Sequence, residues 1–332
     1  MDDWLVYTGD GEPHDGIARL PDPPPWRTFY DDPATPFDRE KVSGMSARWP
    51  QRASAYQPDP HTVEMVNAAL YLRRPLLVTG DPGVGKSSIA YAVARELRLG
   101  SVLRWPITSR STLKDGLYRY DAIGRLEEAN LTRTALDDTP AGAGIGRYLR
   151  LGPLGTALAP YEVPRVLLVD EIDKSDIDLP NDLLDVFEEG AYEIPELARV
   201  ADSGPVPVTP ADDGHRVTVT AGQVRCRAFP FAVLTSNGER DFPPAFLRRC
   251  VRLHLPTPDR ARLSAIVRAH LGSDGAHADR LISMFLDRRS VGELATDQLL
   301  HAVYLARHAN GAAGMNYDRL AELVFQHLNH VR

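Results

Sequence analysis

Cysteine is nearly absent: Cys226 and Cys250 are the only two in 332 residues. Two thiols cannot build a disulfide framework, and a single bridge is not expected without an extracellular context. Long apolar runs are missing as well. The longest, around residues 76–78 and 166–169, fall far short of the ~20 residues that a membrane-spanning helix needs. The first residues, MDDWLVYTGDG, are acidic and lack the basic and apolar segments of a signal peptide. A soluble, cytoplasmic chain with no membrane partner is expected. Nor is there a surplus of positive charge. Lys and Arg number 38 against 45 Asp and Glu, a formal charge of −7. That balance argues against a surface built to coat nucleic acid, while leaving room for a locally basic pore. Internal repeats and low-complexity tracts are also absent.

What is present is an ordinary globular composition, 43% hydrophobic and 25% charged, at a length that predicts two or three domains. Residues 1–55 are dense in proline (Pro21, Pro23, Pro24, Pro25, Pro33, Pro36, Pro50) and carry Trp4, Tyr7, Trp26, Phe29, Tyr30 and Trp49. Proline blocks helices, and a disordered leader would be poor in aromatics. An extended arm is predicted, its rings packed on this subunit or a neighbour.

From Tyr56 the texture changes. Residues 62–72 have a helical apolar period, and Arg74-Pro75 ends them. PLLVTG reads as a short buried strand entering a glycine turn, and residues 86–97 as a helix. VLLVDEID and FAVLTSN are further strands. Strands alternating with helices predict an α/β fold with a parallel, doubly wound sheet. Two insertions interrupt it. Residues 112–153 are the first. Residues 216–229, alternating around Ala221-Gly222, predict a β-hairpin. After Pro256 the chain reads as four helices: 258–271, 276–289, 296–309 and 317–331. The predicted organisation is an arm (1–55), an α/β core (56–255) and a helical lid (256–332).

The stretch Gly80-Asp81-Pro82-Gly83-Val84-Gly85-Lys86-Ser87, followed by Ser88, fits the phosphate-binding pattern G-x-x-x-x-G-K-[ST]. Each part has a chemical reason. Glycines let backbone N–H groups curl around phosphate oxygens. The helix N-terminus adds positive partial charge. Lys86 reaches the β- and γ-phosphates of ATP, and Ser87 offers a hydroxyl to Mg²⁺. A chance glycine turn is the bland alternative, but the required strand and helix flank this one. VLLVDE places Asp170 and Glu171 at a strand's C-terminal end, where open α/β sheets bind ligands. Asp170 would hold Mg²⁺ through water, and Glu171 would polarise the attacking water. Asn237, ending LTSN, can bond the γ-phosphate and that water, or merely form a turn with Gly238. Arg248 and Arg249, in AFLRRC, fit arginine fingers reaching a neighbour's γ-phosphate, or a plain solvated face.

GDPGVGKS, VLLVDEID, LTSN and AFLRRC, in that order and before a helical segment, resemble a MoxR-type AAA+ ATPase of the helix-2-insert clade. The resemblance covers about residues 56–332. It implies a P-loop NTPase sheet flanked by helices, with a C-terminal α-helical lid. It also implies a homo-oligomeric ring, usually hexameric, with nucleotide between neighbours. Residues 112–153 would be the clade's insert and 216–229 its hairpin before sensor 1, both facing the pore. Family members are similar to chaperone-like ATPases acting with von Willebrand factor A-type partners. One departure stands out. Gln298 lies where many AAA+ proteins carry a sensor 2 arginine, which puts lid coupling and hydrolysis rate in question.

Other groups have plainer readings. His301/His308 and His327/His330 could each share a helix face, but surface histidines are the simpler explanation. Cys226 and Cys250 lack a signalled partner and are expected to be non-catalytic. Asp173, Asp176, Asp178 and Asp182 read as helix N-terminal charge rather than a metal cluster. Tyr118, Arg119 and Tyr120 could meet a client or pack the insert's own base. Three functional readings remain from the sequence: an ATP-driven remodeller of a protein, a slowly turning or non-hydrolysing nucleotide-gated scaffold, and, disfavoured by charge, a nucleic-acid motor.

Overall fold

A computed structural model describes residues 4–39, 56–133, 144–212, 214–271, 275–289, 294–308, 319 and 323–325. The core begins with α1 (Pro60–Leu72). Asp59 caps it by accepting the Thr62 N–H at 2.7 Å, and Pro60 sits in the first turn, where no N–H is needed. Then follow β1 (Leu76–Thr79), α2 (Ser88–Glu96), β2 (Leu103–Pro106), α3 (Leu113–Leu117), β3 (Tyr118–Tyr120), α4 (Ala122–Arg133), β4 (Leu149–Leu151), α5 (Pro153–Ala157) and β5 (Val166–Asp170). The second half runs α6 (Leu179–Glu189), β6 (Ala191–Glu193), α7 (Pro195–Ala198), β7 (Val206–Val208), β8 (Val217–Val219), β9 (Gln223–Arg225), β10 (Phe231–Ser236), α8 (Pro244–Leu247) and β11 (Val251–His254). Three helices complete the described chain: α9 (Arg260–Leu271), α10 (Gly275–Arg289) and α11 (Thr296–His308).

The central sheet has the order β11-β1-β10-β5-β2, with every pairing parallel. Its three central strands, β1, β10 and β5, are apolar on both faces, as strands covered on both sides require, while the edge strands β2 and β11 alternate. Leu76, Val78, Val166, Leu168 and Val233 pack with α1 and α2 on one face. Leu77, Leu167, Val169 and Leu234 pack with α6 and the insert on the other. A third apolar cluster joins Leu263, Val267, Leu281, Phe285, Leu299 and Val303 of α9, α10 and α11. This is the predicted parallel α/β core with its helical lid. Of the fourth expected lid helix only residues 319 and 323–325 are described, with 319, 323 and 324 helical, and Phe325 stands edge-on to Phe285 at 5.4 Å; His327 and His330 lie outside the described residues. Among the described residues no helix is long and apolar enough to cross a membrane.

The second insertion corrects the hairpin expectation. β8 and β9 flank the tight turn at Ala221-Gly222 but share only the bridge Thr220–Gln223. Instead β8 ladders with β7, and β9 with β6. The period-2 pattern is right, but each strand's partner comes from farther upstream.

The described arm, residues 4–39, packs on its own core. Asn67, fully buried, accepts the N–H groups of Val6 and Tyr7 at 2.7 and 3.0 Å and donates to the Tyr7 carbonyl at 2.7 Å. Buried Glu96 accepts the N–H groups of Thr8, Gly9 and Gly11. Asp10, His14 and Glu96 lie close enough to suggest a metal site. However, His14 Nδ1 accepts the Gly16 N–H at 2.9 Å. The neutral ring therefore carries its proton on Nε2, which faces Glu96 Oε1 at 3.4 Å and has no lone pair to give. Arg27 lies beside the stacked Phe29 and Phe229 rings, 5.1 and 4.8 Å from their centroids, and donates to the Arg73 carbonyl at 2.6 Å. Trp26 stays exposed, and Trp49 and Pro50 fall outside the described residues.

Candidate active site

Strands β1, β5 and β10 are neighbours, and their C-terminal ends deliver the conspicuous motifs to one place. The turn after β1 needs backbone that only glycine adopts easily. Gly83 and Gly85 have φ of 78° and 96°. A Cβ at Gly83 would also come within 2.9 Å of the Thr296 backbone nitrogen, so the lid rests on this loop.

Lys86 is buried, and its ammonium donates to the carbonyls of Gly80 (2.7 Å) and Asp81 (2.9 Å). Burial lowers its pKa, while Asp173, Asp81, Glu171 and Asp170 oppose the shift. Ser87 Oγ donates to Asp170 Oδ1 at 2.7 Å, and Thr235 Oγ1 donates to the same oxygen at 2.9 Å. Arg104 of β2 holds the other oxygen, Oδ2, at 2.7 and 3.2 Å. Burial pushes the Asp170 carboxyl up. Hydrogen bonds from Arg104, Ser87 and Thr235 outweigh burial and keep it below the usual carboxylate range.

Glu171 follows with φ 63°, a left-handed conformation unusual for a side-chain-bearing residue. Its N–H donates to Thr235 Oγ1 at 2.8 Å, which fixes this turn to β10. Its carboxylate is half exposed and takes the Lys174 ammonium at 2.9 Å, an exposed pair worth ~1 kcal/mol or less. Asn237 reaches the same cavity, and its N–H donates to Asp173 Oδ2 at 2.8 Å.

The cavity measures about 350 Å³. Pro82 to Ser88, Asp170, Glu171 and Asn237 line it from the core; Arg262, His270, Thr296 and Asp297 line it from the lid. A buried ammonium bonded to two neutral carbonyls, a hydroxyl paired with a depressed carboxylate, and a glycine-turned loop suit a magnesium-bound triphosphate. Lys86 would take the phosphates, and Ser87 with Asp170 the ion.

One sequence expectation comes out differently. Asp173 is not helix N-terminal charge. It is buried, and its Oδ2 clamps the N–H groups of Asn237 and Glu239 at 2.8 and 3.1 Å. Asp178 and Asp182 do sit at the start of α6. Gln298 stays out of the lining: its Oε1 accepts the Ala295 N–H at 3.3 Å, and Thr296 and Asp297 face the cavity instead. Within the first insert, Ile145 is buried in the main apolar cluster.

Arg248 and Arg249 lie apart from the cavity and are unlike each other. Arg249 donates to Glu188 Oε1 at 2.8 Å, whereas the Arg248 side chain is exposed. Asp81 donates nothing to the lining; its carboxylate accepts the Thr257 hydroxyl at 2.7 Å. Thr235 and Arg104 went unnoticed in the sequence. Thr235 was readable in principle, as one of the two buried hydroxyls, with Ser236, that end an otherwise apolar strand, but Arg104 looked like any outward residue of an alternating edge strand. Cys226 and Cys250 are free and buried, and burial pushes both thiols up to about 12, so neither is a nucleophile near neutrality. His301 and His308 are exposed.

A parallel sheet, a glycine-rich phosphate loop, an adjoining carboxylate pair and a helical lid over the cavity define an AAA+ nucleotide-binding core. Residues 75–250 match the family model of the AAA domain, dynein-related subfamily, and the chain belongs to that family. Proteins of this kind bind ATP, typically with Mg²⁺, and hydrolyse it. A comparison with curated proteins found no match.

Proposed function

We propose that this chain is the hydrolysing subunit of a cytoplasmic homo-oligomeric ring, a hexamer of MoxR type, that remodels a protein partner. A von Willebrand factor A-type protein is the partner class this reading favours. One observation carries it: the bonded series Ser87–Asp170–Thr235–Glu171, which locks the ion-binding hydroxyl, the ion-binding carboxylate and the base into one frame. Lys86 holds the phosphates. Mg²⁺ neutralises charge on the β- and γ-phosphates when bound. Glu171, once off Lys174, accepts the proton of the attacking water while Asn237 orients it. The water oxygen bonds to the γ-phosphorus as the bond to ADP breaks.

In this reading Arg248 serves the neighbouring subunit's cavity, since it is exposed and outside its own. Subunit mixing tests the arrangement. Lys86→Ala subunits lack a phosphate site but keep arginines; Arg248→Ala/Arg249→Ala subunits bind ATP but lack them. Each alone should fall by about 10³-fold in hydrolysis. Mixed rings should regain activity at interfaces pairing an intact loop with intact arginines. Mixed rings that form and stay inactive defeat the shared-site reading.

A second reading, a slow nucleotide-gated scaffold, is favoured by the acidic Asp297 where the lid meets the cavity. Steady-state phosphate release decides: wild type well above Glu171→Gln supports the hydrolytic reading, and equal low rates support the scaffold.

A further inference from the structure

A second cavity, about 560 Å³, opens where the end of β2 meets the insert. Arg110, Arg119 and Arg150 line it, over a floor that includes Trp105, Leu151 and Gly152. The cations come from three segments: the turn after β2, then β3, then β4. Arg119 and Arg150 are direct cross-strand partners in the antiparallel β3–β4 pair. Alternation sends Tyr118, Leu149 and Leu151 into the core, so the two arginines share the outer face.

Like charges directly opposed across a ladder destabilise it. The register allows no escape by sliding, because β4 is held on both sides. On the side away from β3, Leu151 donates to the Thr209 carbonyl at 2.8 Å, part of a parallel bridge between Arg150 and Thr209. The one carboxylate in the lining, Asp115, is engaged by the Thr112 hydroxyl at 2.7 Å and N–H at 3.1 Å in a capping box, and feels the charge of Arg119 without forming an ion pair with it. Among the described residues no ion pair within 4.0 Å reaches Arg110, Arg119 or Arg150; Arg150 donates only to the Ala211 carbonyl, at 3.2 Å. Three cations gathered on one concave surface of an acidic chain need a reason, and an anion bridging them supplies it.

We propose that this cavity binds carboxylate side chains of an acidic protein segment. Guanidinium forks match carboxylates two bonds at a time. The volume exceeds what one small anion fills. A nucleic-acid strand fits less well. The lining's one aromatic ring, Trp105, is 5% exposed in the floor and offers no face for a base to stack on. The site is separate from the nucleotide cavity, and its occupancy does not depend on the hydrolytic reading.

The test is fluorescence anisotropy on the full chain without nucleotide, using a labelled eight-residue Asp/Glu peptide. Its Asn/Gln counterpart, an oligothymidylate of equal length and inorganic phosphate are the comparison probes. Wild type should bind the acidic peptide, more weakly as salt rises, and ignore the amide version. Arg119→Gln and Arg150→Gln should each weaken binding by about tenfold or more. Melting temperature separates this role from a structural one. Removing one of two opposed charges should leave melting unchanged or raise it. Lower melting in both variants, with peptide affinity intact, overturns the proposal. So does tighter binding of the oligothymidylate than of the peptide, equal binding of the amide peptide, or displacement by millimolar phosphate alone. Failure here leaves the mixing result untouched, so the two readings fall separately.

Discussion

Asp173→Asn is the sharpest test of how the site is held. The carboxylate is 2% exposed, and its Oδ2 accepts two backbone N–H groups from the loop that carries Asn237. Hydrogen bonds to a charged group contribute about 1.5–3 kcal/mol each, neutral ones about 0.5–1.5. The amide keeps both bonds in neutral form, a loss of about 1 kcal/mol apiece. It also places an NH₂ where Oδ1 now lies buried without a partner among the described residues. Relief from burying a charge offsets part of that added cost. A net destabilisation of ~2 kcal/mol results, or about 4–8 °C in melting for a core of this size. Catalysis should suffer more than stability. A shift of about 1 Å in a positioning group can cost on the order of 10²-fold, so kcat should fall on that scale with ATP affinity changed only a few-fold. Differential scanning fluorimetry, nucleotide titration and phosphate release measure the three quantities. Wild-type melting together with wild-type kcat would show that the Asp173 clamp holds nothing of consequence.

Glu171→Gln should keep ATP and Mg²⁺ binding by calorimetry while losing turnover, because an amide retains the shape of the carboxylate but accepts no proton; turnover at the wild-type rate removes Glu171 as the base. Deleting residues 137–143 of the first insert should leave melting and nucleotide binding intact while impairing work on a partner. Extending the deletion through 146 removes buried Ile145, at a cost of about 2–5 kcal/mol in the manner of large-to-small core changes; equal melting of the two deletions would contradict the packing. Asp59 and Asp170 both have folded pKa values held below normal. Their stabilisation is therefore complete above the unfolded carboxylate range, ~pH 4, and is lost as pH falls through the depressed folded values. Melting followed from pH 7 to pH 3 should show their contribution fading only below ~4, and variants Asp59→Asn and Asp170→Asn should lose that acid limb; an unchanged limb refutes the assignment.

The strands and the phosphate loop were legible because their constraints are local. Residues 76–78 and 166–169 are apolar at every position, and the glycines that follow β1 have one conformational purpose. Partner choice was not legible. Nothing within residues 216–229 says that Val217 pairs with Val208 and Val224 with Tyr192, because ladder partners are set by the three-dimensional path of the chain. Asp173 was misread for a related reason. Its neighbours Asp178 and Asp182 are exposed charge at the start of α6 and Asp176 is exposed just before it, and a run of like residues hides the one that turns inward. Arg248 and Arg249, equivalent on paper, diverge because Glu188 of α6 reaches only the second.

The lid poses the remaining question of coupling, since α11 brings no cation to the cavity. Two features stand in its place. The N-terminus of α11 faces the cavity through Thr296 and Asp297, and the aligned peptide dipoles of a helix place about half a positive charge there. Asp297 cancels part of that field. The lid's cation comes from elsewhere: Arg262 of α9 lines the cavity and pairs with Asp59 at 2.9 Å. Asp59 is also the cap of α1, so this pair ties lid to core beside the phosphate loop. Any anion entering the cavity competes with Asp59 for Arg262. Meanwhile the close approach of Thr296 to Gly83 and the Thr257–Asp81 bond make the loop's shape a direct constraint on where the lid can sit. A nucleotide bound here would meet the lid through backbone contact at Gly83 and through a cation that already has a partner, rather than through a charge on α11.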